Sequence, residues 1–206
     1  MWYAIVITAV AAYLLGNLNG SVVVSRMIAH EDVRQKGSGN AGLTNFIRNY
    51  GAQSALLVIV IDAGKAVLAC LLGGLLLKRY GMYLEGTTLG GLCVMLGHDF
   101  PALLKFKGGK GILSGLFIAI MVDWRIALLI LAVFAAAYFL TWYVSLGSVL
   151  AATAFAVGFV IFHSDNIPVM IAGVVMGVLT VFMHRGNIVR LLKGQERKTN
   201  LFRKGT

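Results

Sequence analysis

The polar segment of residues 34–48 contains the residue types that bind anions. Its three glycines allow backbone N–H groups to approach a phosphate closely. The side chains that add hydrogen-bond donors or positive charge are Arg34, Lys36, Ser38, Thr44, Asn45 and Arg48. The segment therefore predicts a phosphate-binding loop. A flexible connection between helices is the alternative, since glycine and asparagine also dominate ordinary turns.

The glycine spacing G-x-G-x-x-G at 37–42 also occurs in dinucleotide-binding folds, where it follows a buried strand. Here the preceding residues are charged, among them Glu31, Asp32 and Arg34. A dinucleotide-binding fold is excluded for that reason. The close approach that glycines give to a phosphate does not depend on that fold.

A second basic, glycine-rich segment covers residues 98–111. Lys107 and Lys110 flank Gly108 and Gly109, so two ammonium groups can point at a phosphate while the glycine backbone approaches it. The full P-loop pattern is not met. The alternative is a lysine cluster that binds anionic lipid headgroups, at about 1 kcal/mol per basic residue near the surface.

Two further polar segments follow long apolar runs. Residues 143–148 predict a tight turn, with serines that satisfy the exposed groups of helix ends. If the last span continues as a helix, His184, Asn187 and Arg190 occupy one arc of about 120°. An imidazole, an amide and a guanidinium would then face one place. The alternative is a set of polar side chains that end a membrane span.

The composition indicates an all-α polytopic membrane protein. Hydrophobic residues make up 59% of the 206 residues and charged residues only 13%, with a mean hydropathy of +0.84. Soluble domains average about a quarter charged residues. The net charge of +10 does not indicate nucleic-acid binding, because that would require a polar, water-soluble fold. Cys70 and Cys93 lie in apolar runs and predict neither a disulfide nor a metal site.

The apolar runs predict seven membrane crossings, two of them short. The first is a retained span, since residues 1–25 contain no Lys or Arg and so lack the basic region of a signal peptide. Residues 126–162 are too long for one span and suit two, with a break at 143–148. The predicted crossings are residues 3–24, 52–77, 86–97, 112–122, the two halves of 126–162, and 167–183.

Basic residues predict the orientation of the chain. With the N-terminus outside, 14 of the 18 Lys and Arg residues fall on the cytoplasmic side, as the positive-inside rule expects. The C-terminus is then cytoplasmic, and the whole chain, 1–206, forms one membrane domain. The polar segments predicted at its cytoplasmic face are residues 30–50, 98–111, 143–148 and 184–206. Within the second span, Asp62 and Lys65 are spaced i, i+3, which predicts a structural ion pair.

Taken together, these segments resemble the bacterial acyl-phosphate:glycerol-3-phosphate acyltransferase family. The resemblance covers nearly the whole chain in order. The matching positions are Asn19, Gly20 and Ser21, Asp32 to Arg34, Gly37 to Gly42, Thr44 and Asn45, Gly97 and His98, Pro101, Phe106 to Gly111, His184 and Arg185, Asn187 and Ile188, and Arg190 and Leu191. Two departures concern helix packing: Ile112, Leu113 and Ser114 follow the lysine-glycine run, and Ala66 stands where the family commonly has glycine.

The resemblance implies transfer of a fatty acyl group from acyl phosphate to the 1-hydroxyl of glycerol 3-phosphate, with no cofactor and no metal. The hydroxyl would attack the acyl carbonyl directly, without a covalent enzyme intermediate, at the cytoplasmic face of the bacterial plasma membrane. His184 and Asn187 would be the catalytic residues, and either His184 or the acceptor's own phosphate would take the proton. The implied substrate-binding residues are Ser38, Asn40, Thr44, Asn45, Arg48, His98, Lys107, Gly108, Gly109, Lys110 and Ser145.

Two other classes of protein remain as alternatives. A transporter for an anionic solute would place its site near the midplane, in broken helices related by internal repeats. The sequence has no visible inverted repeat, and its polar groups lie at one face. A structural protein that binds anionic lipid headgroups would explain the basic segments but not the glycine, asparagine and serine residues within them.

Overall fold

The computed structural model describes residues 1–199, which are helical with no β-strand among them. The chain forms two compact units, Met1–Val122 and a second unit that begins at Asp123. The expected all-helical class is confirmed. The predicted basic tail extends to residue 206, and its last seven residues lie outside the described residues.

Six helices build the first unit. The longest is α4, which is 24 residues of almost wholly apolar sequence. Pairs of glycines allow α4 and α5 to pack closely, and the same is true of α1 and α5. The helices are α1 (Trp2–Gly16), α2 (Gly20–Ala29), α3 (Leu43–Tyr50), α4 (Ala55–Lys78), α5 (Tyr83–Asp99) and α6 (Ile112–Val122).

The first apolar run is interrupted, where the sequence predicted one uninterrupted span over 3–24. Helix α1 ends at Gly16, and α2 begins at Gly20 after a break at Asn17–Asn19. The Asn19 Oδ1 accepts a hydrogen bond from the Val22 N–H and so caps α2. The prediction missed the break because hydropathy alone does not distinguish a capping asparagine from a polar residue inside a span.

The segment of residues 30–50 is not a continuous loop, which corrects the prediction. It contains a short 3-10 turn at Val33–Gln35 and the helix α3, which carries Thr44, Asn45 and Arg48. An apolar cluster holds this segment against α2 and α4. Its buried members are Val22, Val24, Val33, Ala41, Phe46, Ala55 and Val58.

The second unit contains four helices, α7 (Trp124–Thr141), α8 (Val144–Phe162), α9 (Ile167–Met183) and α10 (Arg185–Leu192). The bounds of α9 are those predicted. The break between α7 and α8 lies at Trp142–Tyr143, so Ser145 and Ser148 lie inside α8, and the predicted turn at 143–148 is wrong. The helix tolerates Ser148 because its Oγ donates to the Val144 carbonyl.

Four helical segments in the described part of the chain are long and apolar enough to cross a membrane: Trp2–Ala29, Ala55–Lys78, Trp124–Thr141 and Val144–Phe162. A fifth is reached if α9 and α10, which meet at a bend of 53°, are taken as one span. Helices α5 and α6 are shorter, with 17 and 11 residues. The count of seven crossings remains a prediction.

The close packing of α4 on α5 gives a testable prediction. A Cβ at Gly73 would overlap the Gly86 carbonyl and lie 2.9 Å from Thr8 Cγ2, whereas a Cβ at Gly64, on the same helix, would meet nothing within 4 Å. We expect Gly73→Ala to lower the free energy of unfolding by about 1–3 kcal/mol through overpacking. The measurement is the thermal midpoint in detergent. Gly64→Ala is the matched control and should leave the midpoint unchanged or raise it.

Candidate functional site

Asn45 organises the first glycine-rich segment from within. It is buried, and its Nδ2 lies 3.0–3.1 Å from the carbonyl oxygens of Val33, Lys36 and Asn40. Its Oδ1 accepts a hydrogen bond of 3.0 Å from the Ser38 N–H. The side chain of Asn45 therefore shapes the loop, and its hydrogen-bonding groups are turned toward the protein backbone.

The other predicted residues of this segment surround the loop that Asn45 shapes. Gly37 and Gly39 have φ values of 60° and 73°, a conformation that glycine adopts without strain. Ser38 lies exposed between them. On α3, Thr44 is half-buried and Arg48 is exposed. The Asn40 Oδ1 is buried with no hydrogen-bond partner among the described residues. The loop therefore presents a serine and an asparagine beside a glycine backbone.

Arg34 joins the first glycine-rich segment to the second. Its Nη1 donates to the carbonyl oxygens of Leu104 and Lys107, at 2.9 and 3.0 Å. Its Nε and Nη2 donate to the carboxylate of Asp32, at 2.9 and 2.7 Å. The planar guanidinium can serve both partners at once because its donors are fixed in a fork. The sequence suggested only a positive charge at this position.

The Arg34 side chain holds the pKa of Asp32 well below its usual range, chiefly through its hydrogen bond to the carboxylate. Partial burial acts in the opposite direction, and Arg26 adds a smaller lowering effect. Because the pKa is lower in the folded state, this ion pair stabilises the fold fully above the pKa of an unfolded aspartate. That stabilisation is lost only as the pH falls through the lowered value.

Two asparagines at the break between α1 and α2 also hold these segments. Asn17 Oδ1 accepts a hydrogen bond of 3.0 Å from the Leu103 N–H, and Asn19 Nδ2 donates to the Ala41 carbonyl at 3.0 Å. Each glycine-rich segment is thus hydrogen-bonded to the break between α1 and α2.

His98 lies against the second glycine-rich turn. The Gly109 N–H donates to the His98 carbonyl at 3.0 Å, and a Cβ at Gly109 would overlap His98 Nε2. A Cβ at Gly108 would overlap the His98 carbonyl. His98 is buried, Lys107 is exposed and Lys110 is half-buried. The structure therefore brings together His98, Gly108 and Gly109, which the sequence grouped only by resemblance.

A buried ion pair lies behind His98. Lys65 Nζ is 2.7 Å from Asp62 Oδ1, which confirms the predicted structural pair. Both side chains are buried. The same ammonium also reaches His98 Nδ1 at 2.8 Å, a contact that the sequence did not reveal.

In the second unit, His184 lies at the bend between α9 and α10. Its Nδ1 is 2.8 Å from the Thr180 carbonyl. A carbonyl can only accept, so Nδ1 carries the proton, and in neutral His184 the lone pair is on Nε2. The bend also means that His184 does not share one straight helix with Asn187 and Arg190, which was the predicted arrangement.

Glu196 is a site residue that sequence reasoning missed. Its carboxylate accepts from Asn187 Nδ2 at 3.0 Å and from Arg190 Nε at 2.7 Å. The segment that carries it folds back on α7, since Thr199 N–H donates to the Trp142 carbonyl and Tyr138 hydroxyl donates to the Thr199 carbonyl, both at 3.0 Å. The only signal in the sequence was a single carboxylate in a basic tail.

Ser145 also belongs to the second unit, in the first turn of α8. Its Oγ is buried and has no hydrogen-bond partner within residues 1–199. No group of three or more His, Cys, Asp or Glu residues in that range is placed to hold a metal ion. In the first unit the predicted site residues lie within residues 38–48 and 98–110, and in the second unit they are Ser145, His184 and Asn187.

The chain is similar over almost its whole length to proteins of one family. The profile of a family described as glycerol-3-phosphate acyltransferase matches residues 6–194. The chain is 37% identical over 193 residues to a glycerol-3-phosphate acyltransferase of Thermoanaerobacter sp. (strain X514), covering 94% of each chain. It is 38% identical over 200 residues to one of Clostridioides difficile (strain 630), covering 95% of this chain and 96% of the other.

Two crystal structures of PlsY (YgiH), an integral membrane glycerol 3-phosphate acyltransferase, are also similar. The glycerol 3-phosphate form has a TM-score of 0.84 and 31% identity, covering 97% of this chain and 99% of that one. The lysophosphatidic acid form has a TM-score of 0.80 and 30% identity, covering 96% of both. Since the profile matches most of the chain and the Thermoanaerobacter and Clostridioides relatives are 37–38% identical over at least 94% of it, this chain belongs to the glycerol-3-phosphate acyltransferase family.

Proposed function

We propose that this protein transfers a fatty acyl group from acyl phosphate to the 1-hydroxyl of glycerol 3-phosphate, forming lysophosphatidic acid and phosphate. The observation that carries the proposal is the bridge made by Arg34, which joins two basic, glycine-rich segments into one anion-binding surface. Family membership gives the acceptor, because the similar PlsY structures are of glycerol 3-phosphate and lysophosphatidic acid forms.

The residues of the first unit bind the phosphates. Closely spaced backbone N–H groups and positive side chains recognise this group in many proteins. Asn45 acts by shaping the loop, since its side chain is bound to the backbone around it. The residues that contact substrate in this unit are Ser38, Asn40, Thr44, Arg48, His98, Lys107, Gly108, Gly109 and Lys110.

The residues of the second unit act on the acceptor hydroxyl. His184 Nε2 takes the proton as the hydroxyl oxygen attacks the acyl carbonyl, and the bond between that carbon and the phosphate oxygen then breaks. Glu196 holds Asn187 in place through the Nδ2 hydrogen bond. The Asn187 amide orients the acceptor. The buried Ser145 Oγ supplies one more hydrogen-bonding group for substrate.

The family resemblance implies the donor, and the chemistry of that donor is compatible with the residues present. Acyl phosphate is a mixed anhydride and is already activated, so positioning and charge stabilisation suffice. No coenzyme A site, cofactor or metal is part of the proposal. The positive-inside bias supports a site at the cytoplasmic face of the bacterial plasma membrane, and the proposal retains seven crossings with the N-terminus outside. The oily tail of the donor then stays in the bilayer while glycerol 3-phosphate enters from water.

The donor is tested with purified protein and glycerol 3-phosphate, given either acyl phosphate or acyl-CoA. We expect inorganic phosphate release and an acylated, ether-extractable product with acyl phosphate alone, because no site for coenzyme A is proposed. Product formed only from acyl-CoA would show that the donor is wrong. Absence of product with both donors would instead favour a transporter or a binding protein for an anionic solute.

The proposed roles of His184 and Asn187 predict a loss of turnover. In folded protein, His184→Ala and Asn187→Ala should each lower the rate by about 100-fold or more, the size expected for a lost acid–base or positioning group. Steady-state rates with both substrates saturating measure this effect. His30→Asn is the control, since His30 is exposed at the end of α2 and asparagine tolerates its left-handed backbone. Turnover within a few-fold of the parent in the alanine variants would contradict both roles.

The bridge made by Arg34 predicts that a positive charge alone at this position does not preserve activity. Arg34→Lys keeps a cation, but a single ammonium lacks the fork that serves Asp32 and two carbonyls. Losing one charged hydrogen bond, worth about 1.5–3 kcal/mol, should lower kcat/KM by roughly 10–100-fold. Arg26→Lys is the matched control, because Arg26 pairs with the same Asp32 from a mostly exposed position. Equal small effects in both variants would show that the bridge does not shape the site.

A further inference from the structure

We propose that Lys65 is a positioning residue for the phosphate-binding turn 107–111, and that it acts by fixing the tautomer of His98. The inference rests on the proposed function in one respect, namely that this turn binds a phosphate. It concerns a lysine on α4 that contacts neither the turn nor, in the proposal, the substrate.

The surroundings of Lys65 require an ammonium that donates in several directions. Its side chain is only 2% exposed. Nζ lies 2.6 Å from the Leu18 carbonyl, 2.7 Å from Asp62 Oδ1 and 2.8 Å from His98 Nδ1. The Gly16 carbonyl is at 3.3 Å. An ammonium has three donors and no acceptor, so its three shortest contacts, to Leu18, Asp62 and His98, take one N–H each, and the longer contact to Gly16 shares one of them.

This geometry fixes the proton of His98. Because Lys65 donates to Nδ1, Nδ1 carries the lone pair, and the proton of the neutral ring is on Nε2. Asp62 is the group that would favour the opposite tautomer, but its Oδ1 is 3.7 Å from Nδ1, too far for a hydrogen bond. That oxygen is occupied by Lys65 and by the Gly20 N–H, at 2.7 and 3.1 Å.

The Nε2 proton is directed at the glycine turn. Nε2 lies so close to Gly109 that no Cβ fits between them, and the His98 carbonyl accepts from the Gly109 N–H. His98 therefore contacts the turn through its ring and its backbone at once. With the proton held on Nε2, the ring offers a donor beside the backbone of residues 107–111. With the other tautomer, it would turn a lone pair toward the phosphate and repel it.

A purely structural lysine would leave this tautomer unaffected, so the tautomer is the quantity to measure. Protein labelled with ¹⁵N-histidine is purified in detergent, and His98→Gln identifies the signals of His98 among the four histidines. We expect neutral His98 with its proton on Nε2 in the parent protein. A proton on Nδ1 would overturn the proposal without any variant being made.

Two variants then test the lysine itself. Lys65→Met removes the donor but leaves Asp62 buried without its cation, so Asp62→Asn/Lys65→Met is made beside it to remove both charges. We expect the fixed tautomer to be lost in both, giving a mixture or the Nδ1-protonated form. Lys78→Met is the control, since Lys78 is exposed at the far end of the same helix, and it should keep the parent spectrum. An unchanged His98 signal in the double variant would overturn the proposal.

Kinetics link the tautomer to the turn. In folded Lys65 variants we expect KM for acyl phosphate to rise by about tenfold or more, the scale of one charged hydrogen bond, while kcat changes less. Inorganic phosphate should compete correspondingly less well. A changed tautomer with unchanged KM would overturn the link to the turn. If the parent protein transfers no acyl group, the proposed function fails, but the spectrum still decides whether Lys65 sets the tautomer.

Discussion

The buried ammonium of Lys65 is the interaction on which the first unit depends. A helix that ends leaves carbonyls and N–H groups without partners, and burying them unsatisfied costs free energy. The break between α1 and α2 creates such groups, and the ion pair on α4 satisfies them. Lys65 donates to Gly16 and Leu18 carbonyls, while Asp62 accepts from the Gly20 N–H. The break, the ion pair and His98 therefore form one interdependent group.

The break matters because the polar segments are attached to it. Asn17 and Asn19 sit within it and hold Leu103 and Ala41 by their side-chain amides. A continuous helix through 3–24 would turn these two amides to different faces, and the glycine-rich segments would no longer share one anchor. A charge pair inside the unit thus helps to fix where the two glycine-rich segments are held. Replacing such a pair by apolar residues can preserve the stability of the fold while losing the specific arrangement that the pair imposes.

Each unit uses one charged residue to assemble its polar groups. In the first unit Arg34 donates hydrogen bonds to Asp32 and to two carbonyls. In the second unit Glu196 accepts hydrogen bonds from Asn187 and Arg190. Groups held in this way do not have to reorganise when charge develops during a reaction, which is the main source of electrostatic catalysis. The free-energy cost of ordering these polar groups is met when the protein folds, so less of that cost is incurred when substrate binds.

The sequence correctly predicted the features that depend on neighbouring residues. It gave the bounds of α9, the pair of Asp62 and Lys65, and the grouping of glycines with basic residues. It failed where a polar residue has a partner far along the chain. The loop-shaping contacts of Asn45, which was predicted only as a substrate-binding residue, were not foreseen, and Glu196 was overlooked in a basic tail. Ser145 was assigned to a turn because small polar residues suit both a turn and a helix start.

The two buried histidines show most clearly that the sequence does not reveal the partner of a polar side chain. His98 and His184 are both buried, yet their Nδ1 atoms face opposite partners: an ammonium for His98 and a carbonyl for His184. A donor at Nδ1 makes Nε2 the proton carrier, and an acceptor there makes Nε2 the lone-pair carrier. The two rings therefore suit opposite tasks, presenting a proton to an anion and removing one from a hydroxyl. Nothing in their residue type distinguishes them, and only the partner at Nδ1 decides which chemistry each can perform.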